Sequence, residues 1–342
     1  MNSKPLVSAI VSMYKSERFI RSKIEDLLSQ SIIKKLEIIL VNSGSPQNEE
    51  NIVKEYLVHH ENFVYLKTEE RETVYKAWNR GIKMSSGKFI TNSNTDDRLR
   101  KDAYEILSDY LEKNPDVALV YADQYLCKIE NQNFNQVMHG NIIRFPDYTH
   151  LKQLDRCIVG SQPMWRSSLH FNDNFWFNEK YEVSGDHEFE LRISEKYKIQ
   201  HISIALGTFY KSQLNENKES ENPLITKSEV NEVLENSIRN YLNTRNVAQL
   251  KSLKNEFRYF LMLPILIFEL LKRIDRLIFP RIYSKFFFHS IEFIYYFNIL
   301  ICLKLGEIEQ GLKLCKKFLF FKKSVRIKKI QFQLNAARNS IE

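Results

Sequence analysis

RETVYKAWNRGIKMSSGKFITNSNTDD, residues 71–97, decides how the fold is read. Residues 73–84 read as a helix, Gly87 ends the turn, and residues 88–91 read as a strand. Adjacent carboxylates, Asp96 and Asp97, stand just past that strand. EIILVNSGS (37–45) and SGDHEFELR (184–192) repeat the arrangement: a polar cluster that follows or borders an apolar, β-type run. Clusters recurring in βα order are how an open α/β sheet gathers ligand groups at the carboxyl ends of its strands. Hard cations that carry diphosphates want oxygen ligands placed this way.

Outward from these stretches, residues 6–13, 36–41, 63–66, 88–91 and 117–121 read as strands. Residues 16–30, 48–60, 73–84 and 101–113 read as helices between them. In the helix at 16–30, Phe19, Ile20, Ile24, Leu27 and Leu28 fall at helical spacing, with Ser16 as the cap. This alternation predicts a mostly parallel α/β sheet flanked by helices. It stops after Asp123. The Asn-rich stretch 130–145 reads as a mobile loop, and ordered elements resume over 159–166, 186–196 and 199–210. SQLNENKESE (212–221) reads as a linker, dividing a catalytic domain at 1–211 from a helical region at 222–342.

Bulk numbers narrow the function. The chain has 342 residues and a formal charge of +8, from 50 Lys+Arg against 42 Asp+Glu. Residues 251–342 alone hold 18 Lys/Arg and 7 Asp/Glu, a net of +11, so the remainder is net −3. The basic character belongs to the tail, which argues against nucleic-acid binding by the whole protein. A basic, aromatic tail suits an anionic membrane face. The apolar stretches at 257–271 and 286–305 are too short between charges to span a bilayer. Residues 295–319 resemble a tetratricopeptide hairpin, with Gly306 at the turn and Gly311 where two helices approach. One such unit cannot bury its own face. The four cysteines, Cys127, Cys157, Cys302 and Cys315, show no metal-ligand spacing and read as reduced thiols. The N-terminal apolar run reads as a strand rather than a signal peptide, which implies a cytoplasmic protein.

Taken together, residues 5–210 resemble family 2 glycosyltransferases with the GT-A fold. The resemblance implies an inverting, metal-dependent transferase that moves a sugar from a nucleotide-diphosphate sugar to a hydroxyl acceptor. The setting it implies is bacterial surface-polysaccharide or glycoconjugate synthesis. In that family the end of the first strand wraps the nucleotide base, which points to Ser12, Tyr14 and Glu17. Two acids usually precede Gly-Ser after the second strand. Here they are Asn42 and Ser43, and Asn42 can both donate to and accept from a base. Arg71 falls where the family places a basic or amide group near the nucleotide. Asn79 matches the element bordering the diphosphate. Asn94-Thr95-Asp96-Asp97 falls on the DxD motif with its first Asp replaced. Asp96, with Asp97, is thus expected to hold Mn²⁺ or Mg²⁺ against the diphosphate. Asp186 falls on the general base, with Gly185 in place of the usual preceding acid. His187 and Glu188 are alternatives, since only one of the three can face the cleft. Trp165 and Trp176 are expected on the acceptor side, where an indole can stack on a sugar face.

The partners implied are a nucleotide-sugar donor, a carbohydrate or glycolipid acceptor, an anionic membrane surface and a second copy through the C-terminal helices. Nucleic acid is not among them. A nucleotidyltransferase would want a Gly-rich, Lys-containing loop after the first strand, and Tyr14-Lys15-Ser16-Glu17 has no glycine. A non-catalytic, glycosyltransferase-like scaffold is the alternative that Asn42, Ser43, Asn94 and Gly185 keep open. The acids at 96 and 186 argue against it.

Overall fold

The computed structural model describes residues 4–212, 222–254, 295–321 and 325–339. Residues 213–221 of the expected linker, the stretch 257–271 and residues 286–294 of the stretch 286–305 lie outside the described residues. The chain divides into two compact units, Met1–Leu234 and Glu235–Glu342.

The first unit is built on one sheet. Strands β1 (Val7–Met13), β2 (Leu36–Ser43), β3 (Phe63–Thr68) and β4 (Phe89–Asn92) are followed by the longer β5 (Val117–Cys127). β6 (Ile142–Ile143), β7 (Met164–Arg166) and β8 (Lys198–Tyr210) complete it. Their order is β3-β2-β1-β4-β7-β5-β6, with β8 also paired to β5. β1 pairs in parallel with both β2 and β4, and nearly every residue of β1 and β2 is buried. Near-continuous apolar runs of this kind mark a sheet covered on both faces. Helices α1 (Glu17–Leu28), α2 (Glu49–Leu57), α3 (Val74–Met84) and α4 (Ala103–Lys113) supply the cover. The chain leaves β1 toward β2 and β3 on one side, while β4 lies on the other. The carboxyl ends of β1 and β4 therefore bracket a topological switch point, where an open sheet leaves a crevice. There the N–H of Ser93 donates to the carbonyl of Ile10 at 2.8 Å, holding the two ends together.

The sheet turns antiparallel beyond β4, because β7 runs opposite to both β4 and β5. The stretch expected as a mobile loop at 130–145 instead carries α5 (Phe134–Val137) and β6. Its asparagines serve as connectors rather than solvent-facing filler. Asn133 and Gln136 form a reciprocal cap on α5. Asn131, at φ 58°, accepts from Arg98 at 2.5 Å and donates to the carbonyl of Arg18 at 2.8 Å. Three further helices follow: α6 (His150–Asp155), α7 (Ser168–Phe171) and α8 (Gly185–Ser194). The division between the two units falls inside α9 (Pro223–Asn243). Glu229 and Glu232, on its first turns, bind the loop ahead of α8 and Lys180.

The second unit is helical among its described residues. Residues 295–304 and the helix Ile308–Phe321 form the expected hairpin, with Gly306 at φ 72° in the turn. A Cβ on Gly311 would lie 3.0 Å from Leu334 of the helix Val325–Asn339, so the small residue sets that approach. No described helix is long and apolar enough to cross a membrane.

A second cluster, aromatic rather than aliphatic, sits beside the sheet. The Phe177 and Phe189 rings stack at 4.1 Å between centroids, and His170 stacks on Phe189 at 5.5 Å. Trp165 is buried and donates its indole N–H to Nε2 of His170 at 2.7 Å. That nitrogen accepts only if the ring is neutral, and burial lowers the His170 pKa to about 4. His187 is likewise buried and lowered to about 4, donating from Nε2 to the carbonyl of Gln153 at 2.7 Å. Both rings bind fewer protons folded than unfolded between their lowered pKa values and 6.5. Their contribution is thus full above 6.5 and is lost as pH falls toward 4, by about 3 kcal/mol per ring. A His187→Gln variant should lose less stability than the native chain between neutral and mildly acidic pH. Urea denaturation at both pH values checks this, and equal losses in the two proteins would contradict it.

Candidate active site

Two cavities open at the switch point. The larger, about 370 Å³, is lined by Ser12, Tyr14, Arg18, Ser43, Arg71 and Thr95, among others. The Arg71 guanidinium lies 4.4 Å over the Tyr14 ring and the Lys15 ammonium 5.7 Å from it. Stacked aromatic and cation suit a flat ring, and Arg18, Lys15 and Arg71 together suit an anion. Glu72, the acid on this wall, is paired with Arg80 and Lys76.

The loops under this cavity are tied by a buried carboxylate. Glu49 Oε1 accepts from the N–H of Ser16 at 2.6 Å and from the hydroxyl of Ser45 at 2.8 Å. Ser45 in turn accepts from the N–H of Lys15 at 3.0 Å, where the backbone takes φ 53°. Gly44 turns at φ 61°, and a Cβ there would sit 2.8 Å from the Glu70 backbone. Asn42 is spent within this framework. Its Oδ1 accepts from the N–H of Ser45 at 2.9 Å and its Nδ2 donates to Tyr65 at 3.2 Å. Ser43, not Asn42, reaches the cavity. Glu17 is exposed and accepts from the N–H of Asn48 at 3.3 Å, so it does not line the cavity either.

The turn after β4 forms the partition. Thr95 faces the larger cavity and Asn94 the smaller. Asp97 is buried behind the turn. It accepts from the Ser161 hydroxyl at 2.7 Å, the Tyr210 N–H at 2.8 Å and Asn94 Nδ2 at 3.4 Å. The buried Arg98 guanidinium donates to the carbonyls of Thr95 and Asp97, each at 2.8 Å. Both oxygens of Asp97 are thus bonded within the protein, and the residue anchors the turn. Asp96 is half-buried, and no other described side chain bonds its carboxylate. Burial first, then Asp97, raises its pKa to about 7.

Among the described residues no three His, Cys, Asp or Glu side chains converge on one point. A cation at Asp96 would therefore take its other oxygens from substrate phosphates and water, as Mg²⁺ and Mn²⁺ ordinarily do beside diphosphates. A carboxylate that no other described side chain bonds, next in sequence to Thr95 on the wall of a cavity suited to an anion, fits such an ion.

The smaller cavity, about 100 Å³, has Trp78, Trp165, Phe177 and Phe189 as walls and carries Asn94, Asp186 and Glu190. Asp186 lies in the first turn of α8, where the helix dipole favours a carboxylate. A Cβ on Gly185 would come within 2.6 Å of the Tyr75 ring. The tyrosine thus occupies the space a larger residue at 185 would need. Its hydroxyl lies 2.6 Å from the carbonyl of Val183 and 3.1 Å from Oδ1 of Asp186. The Glu229 carboxylate accepts from the N–H groups of Glu182, Val183 and Ser184 at 2.8, 2.8 and 3.0 Å, fixing the start of α8.

Four expected site residues have other work. Asn79 is buried and bonds both backbone groups of Phe177 and the Glu179 carboxylate, pinning residues 177–179 to α3. His187 points to Gln153, and Glu188 is paired with Arg192 at 2.6 Å. Trp176 donates to Asn174 under Lys83 and lines neither cavity. Trp165 does reach the smaller one, as a wall. Tyr75, Glu190 and Glu229 went unnoticed in the sequence. The one available signal was Glu190, an acid amid Phe189, Leu191 and Ile193, which are all buried.

The sequence model of glycosyl transferase family 2 matches residues 8–170. A hyaluronan synthase of Pasteurella multocida is 25% identical over 204 residues, 59% of this chain and 20% of that protein. A chondroitin synthase of Escherichia coli is 26% identical over 203 residues, 58% of this chain and 28% of that protein. The chain thus spans less than a third of either relative. Among solved structures, S. aureus TarS (residues 1–349) in complex with UDP-GlcNAc superposes with a TM-score of 0.55 at 18% identity. That match covers 68% of this chain and 66% of TarS, and it speaks for the fold. With the motifs, the sheet order and the match over residues 8–170 in agreement, that stretch is similar to glycosyl transferase family 2, and the first unit carries the GT-A fold.

Proposed function

We propose that the first unit transfers a sugar, with inversion, from a nucleoside-diphosphate sugar to a hydroxyl of a carbohydrate or glycolipid. The setting we propose is polysaccharide or glycoconjugate assembly. The observation that carries this reading is the pair of adjoining cavities parted by the 94–97 turn. One is basic with a stacked aromatic, and the other is aromatic with the Asp186 carboxylate. The UDP-GlcNAc bound by TarS supports a donor of this class.

In this reading the base stacks near Tyr14 and Arg71, and the diphosphate meets the cations of the larger cavity. Asp96 would hold a divalent ion that neutralises charge on the departing diphosphate. Asp186 takes the proton from the acceptor hydroxyl while that oxygen attacks the anomeric carbon. The bond to the diphosphate oxygen breaks on the opposite face, so configuration inverts. Tyr75 and the Glu229 clamp hold Asp186 in place. The basic tail would lie against an anionic membrane surface, its apolar residues buried and its lysines near lipid phosphates.

Asp96→Ala should lower metal-dependent turnover by roughly a thousandfold with the fold intact. Nucleotide release from a panel of nucleotide sugars measures it, and near-native rates in EDTA would overturn the assignment. Asp186→Asn should lower kcat by a factor of a hundred or more, the scale of general-base catalysis. Calorimetry with UDP or GDP and Mn²⁺ should show unchanged donor-side affinity. An equal loss of nucleotide binding would move Asp186 into the other cavity. The full chain should co-sediment with anionic liposomes and release as salt rises, because the attraction is screened within about 10 Å at 0.1 M. Indifference to liposomes at every salt concentration would favour self-association of the helices instead.

A further inference from the structure

Glu190 is hard to explain as part of a core. It is buried on α8 and lines the smaller cavity among Trp78, Trp165, Phe177 and Phe189. Gln153 donates to its Oε2 at 2.7 Å, and the Cys157 Sγ lies 3.6 Å from the same oxygen. The titratable groups that act on it are Asp186 on its own helix, Cys157 after α6, Tyr121 on β5 and Tyr148 before α6. None of these is a cation. Burial and the nearby Asp186 push its carboxyl well above the usual carboxylate range, which favours the protonated form, the one with a hydrogen to donate. Folding alone would be better served there by leucine or methionine, since an apolar side chain needs no partners. A buried ionisable group with no opposite charge, facing a cavity, is the pattern of a functional residue.

Its position says what it could touch. Residues four apart share one helix face, so the carboxyls of Asp186 and Glu190 look into the same space. The cavity of about 100 Å³ holds roughly three waters, enough for one edge of a pyranose ring but not for an oligosaccharide. Aromatic walls take the apolar face of such a ring. We propose that Glu190 is a specificity-determining residue whose carboxyl grips a second hydroxyl of the acceptor sugar, beside the one that Asp186 activates. This rests on the reading of Asp186 as the base. Asp186 accepts the proton of the attacking hydroxyl, and Glu190 donates to its neighbour. An acceptor lacking that neighbour leaves a buried donor unpaired.

Trp78 and Trp165 on the walls give a binding signal that does not depend on turnover. Methyl pyranosides and their monodeoxy counterparts are titrated against tryptophan fluorescence, using the native chain, Glu190→Gln and Glu190→Leu. The native chain should bind a parent glycoside about tenfold tighter than one of its deoxy analogues, the scale of a lost hydrogen bond. Glu190→Leu should bind both equally weakly while melting no lower than the native chain. Glu190→Gln, which keeps a donor and an acceptor, should retain most of the discrimination. The proposal is overturned if Glu190→Leu discriminates as the native chain does, if it fails to fold, or if no pyranoside binds the native chain. Asp186→Asn separates the two readings: it should keep glycoside binding and lose transfer. Transfer that survives in Asp186→Asn would sink the base assignment while leaving the glycoside titration to judge Glu190.

Discussion

The buried carboxylate of Asp97 is the constraint around which the candidate site is arranged. Through it the end of β4 holds the end of β8, by the Tyr210 N–H, and the segment before β7, by the Ser161 hydroxyl. Arg98, from the adjacent position, draws in the carbonyls of Thr95 and Asp97 and reaches Asn131, which bonds the β1–α1 region. Four separate parts of the chain thus converge on one turn. Burying a charge is costly unless its hydrogen bonds are made, and each removed partner leaves a penalty of about 1–3 kcal/mol. The turn is therefore held in one conformation, which fixes Asp96 beside Asn94 and Thr95, the residues that line the two cavities.

The two sides of that partition are built from different materials. The larger cavity stands on hydrogen-bonded loops, with Glu49 joining the turns that follow β1 and β2. The smaller stands on packed aromatic rings, from Tyr75 and Trp78 on α3 to Phe189 on α8. Polar loops can offer backbone groups and cations to a charged ligand. A rigid aromatic block can shape a space for a sugar ring while raising the proton affinity of any acid it encloses. Glu190 shows that second effect, and its pKa is driven up mainly by burial.

The first turns of α9, which belong to the first unit, also reach the site. Glu229 on α9 accepts three successive backbone N–H groups just ahead of Asp186. An anion at the start of a helix satisfies donors that the helix itself cannot. The orientation of α8, and with it the smaller cavity, thus depends on a residue beyond the stretch that resembles the family. The family match ends at residue 170, before both α8 and α9.

The sequence by itself determined the strand–helix alternation and the likeness to a family, and it offered Asp96 and Asp186 as the acids of the candidate site. These are local signals: apolar runs broken by Gly, Asn and Pro, and acids at the ends of regular elements. Only the tertiary structure decided which polar residues face a cavity. Asn42, Asn79 and Asp97 look like ligand groups in the chain, but each is spent on a neighbour that folding brings close from 23 to more than 100 residues away. A polar side chain carries no mark of its partner, so burial with another protein atom and exposure to substrate read alike in sequence. Glu190 is the converse. On the line of the chain it is one more charge on a helix, and only the aromatic cavity around it makes that charge unusual.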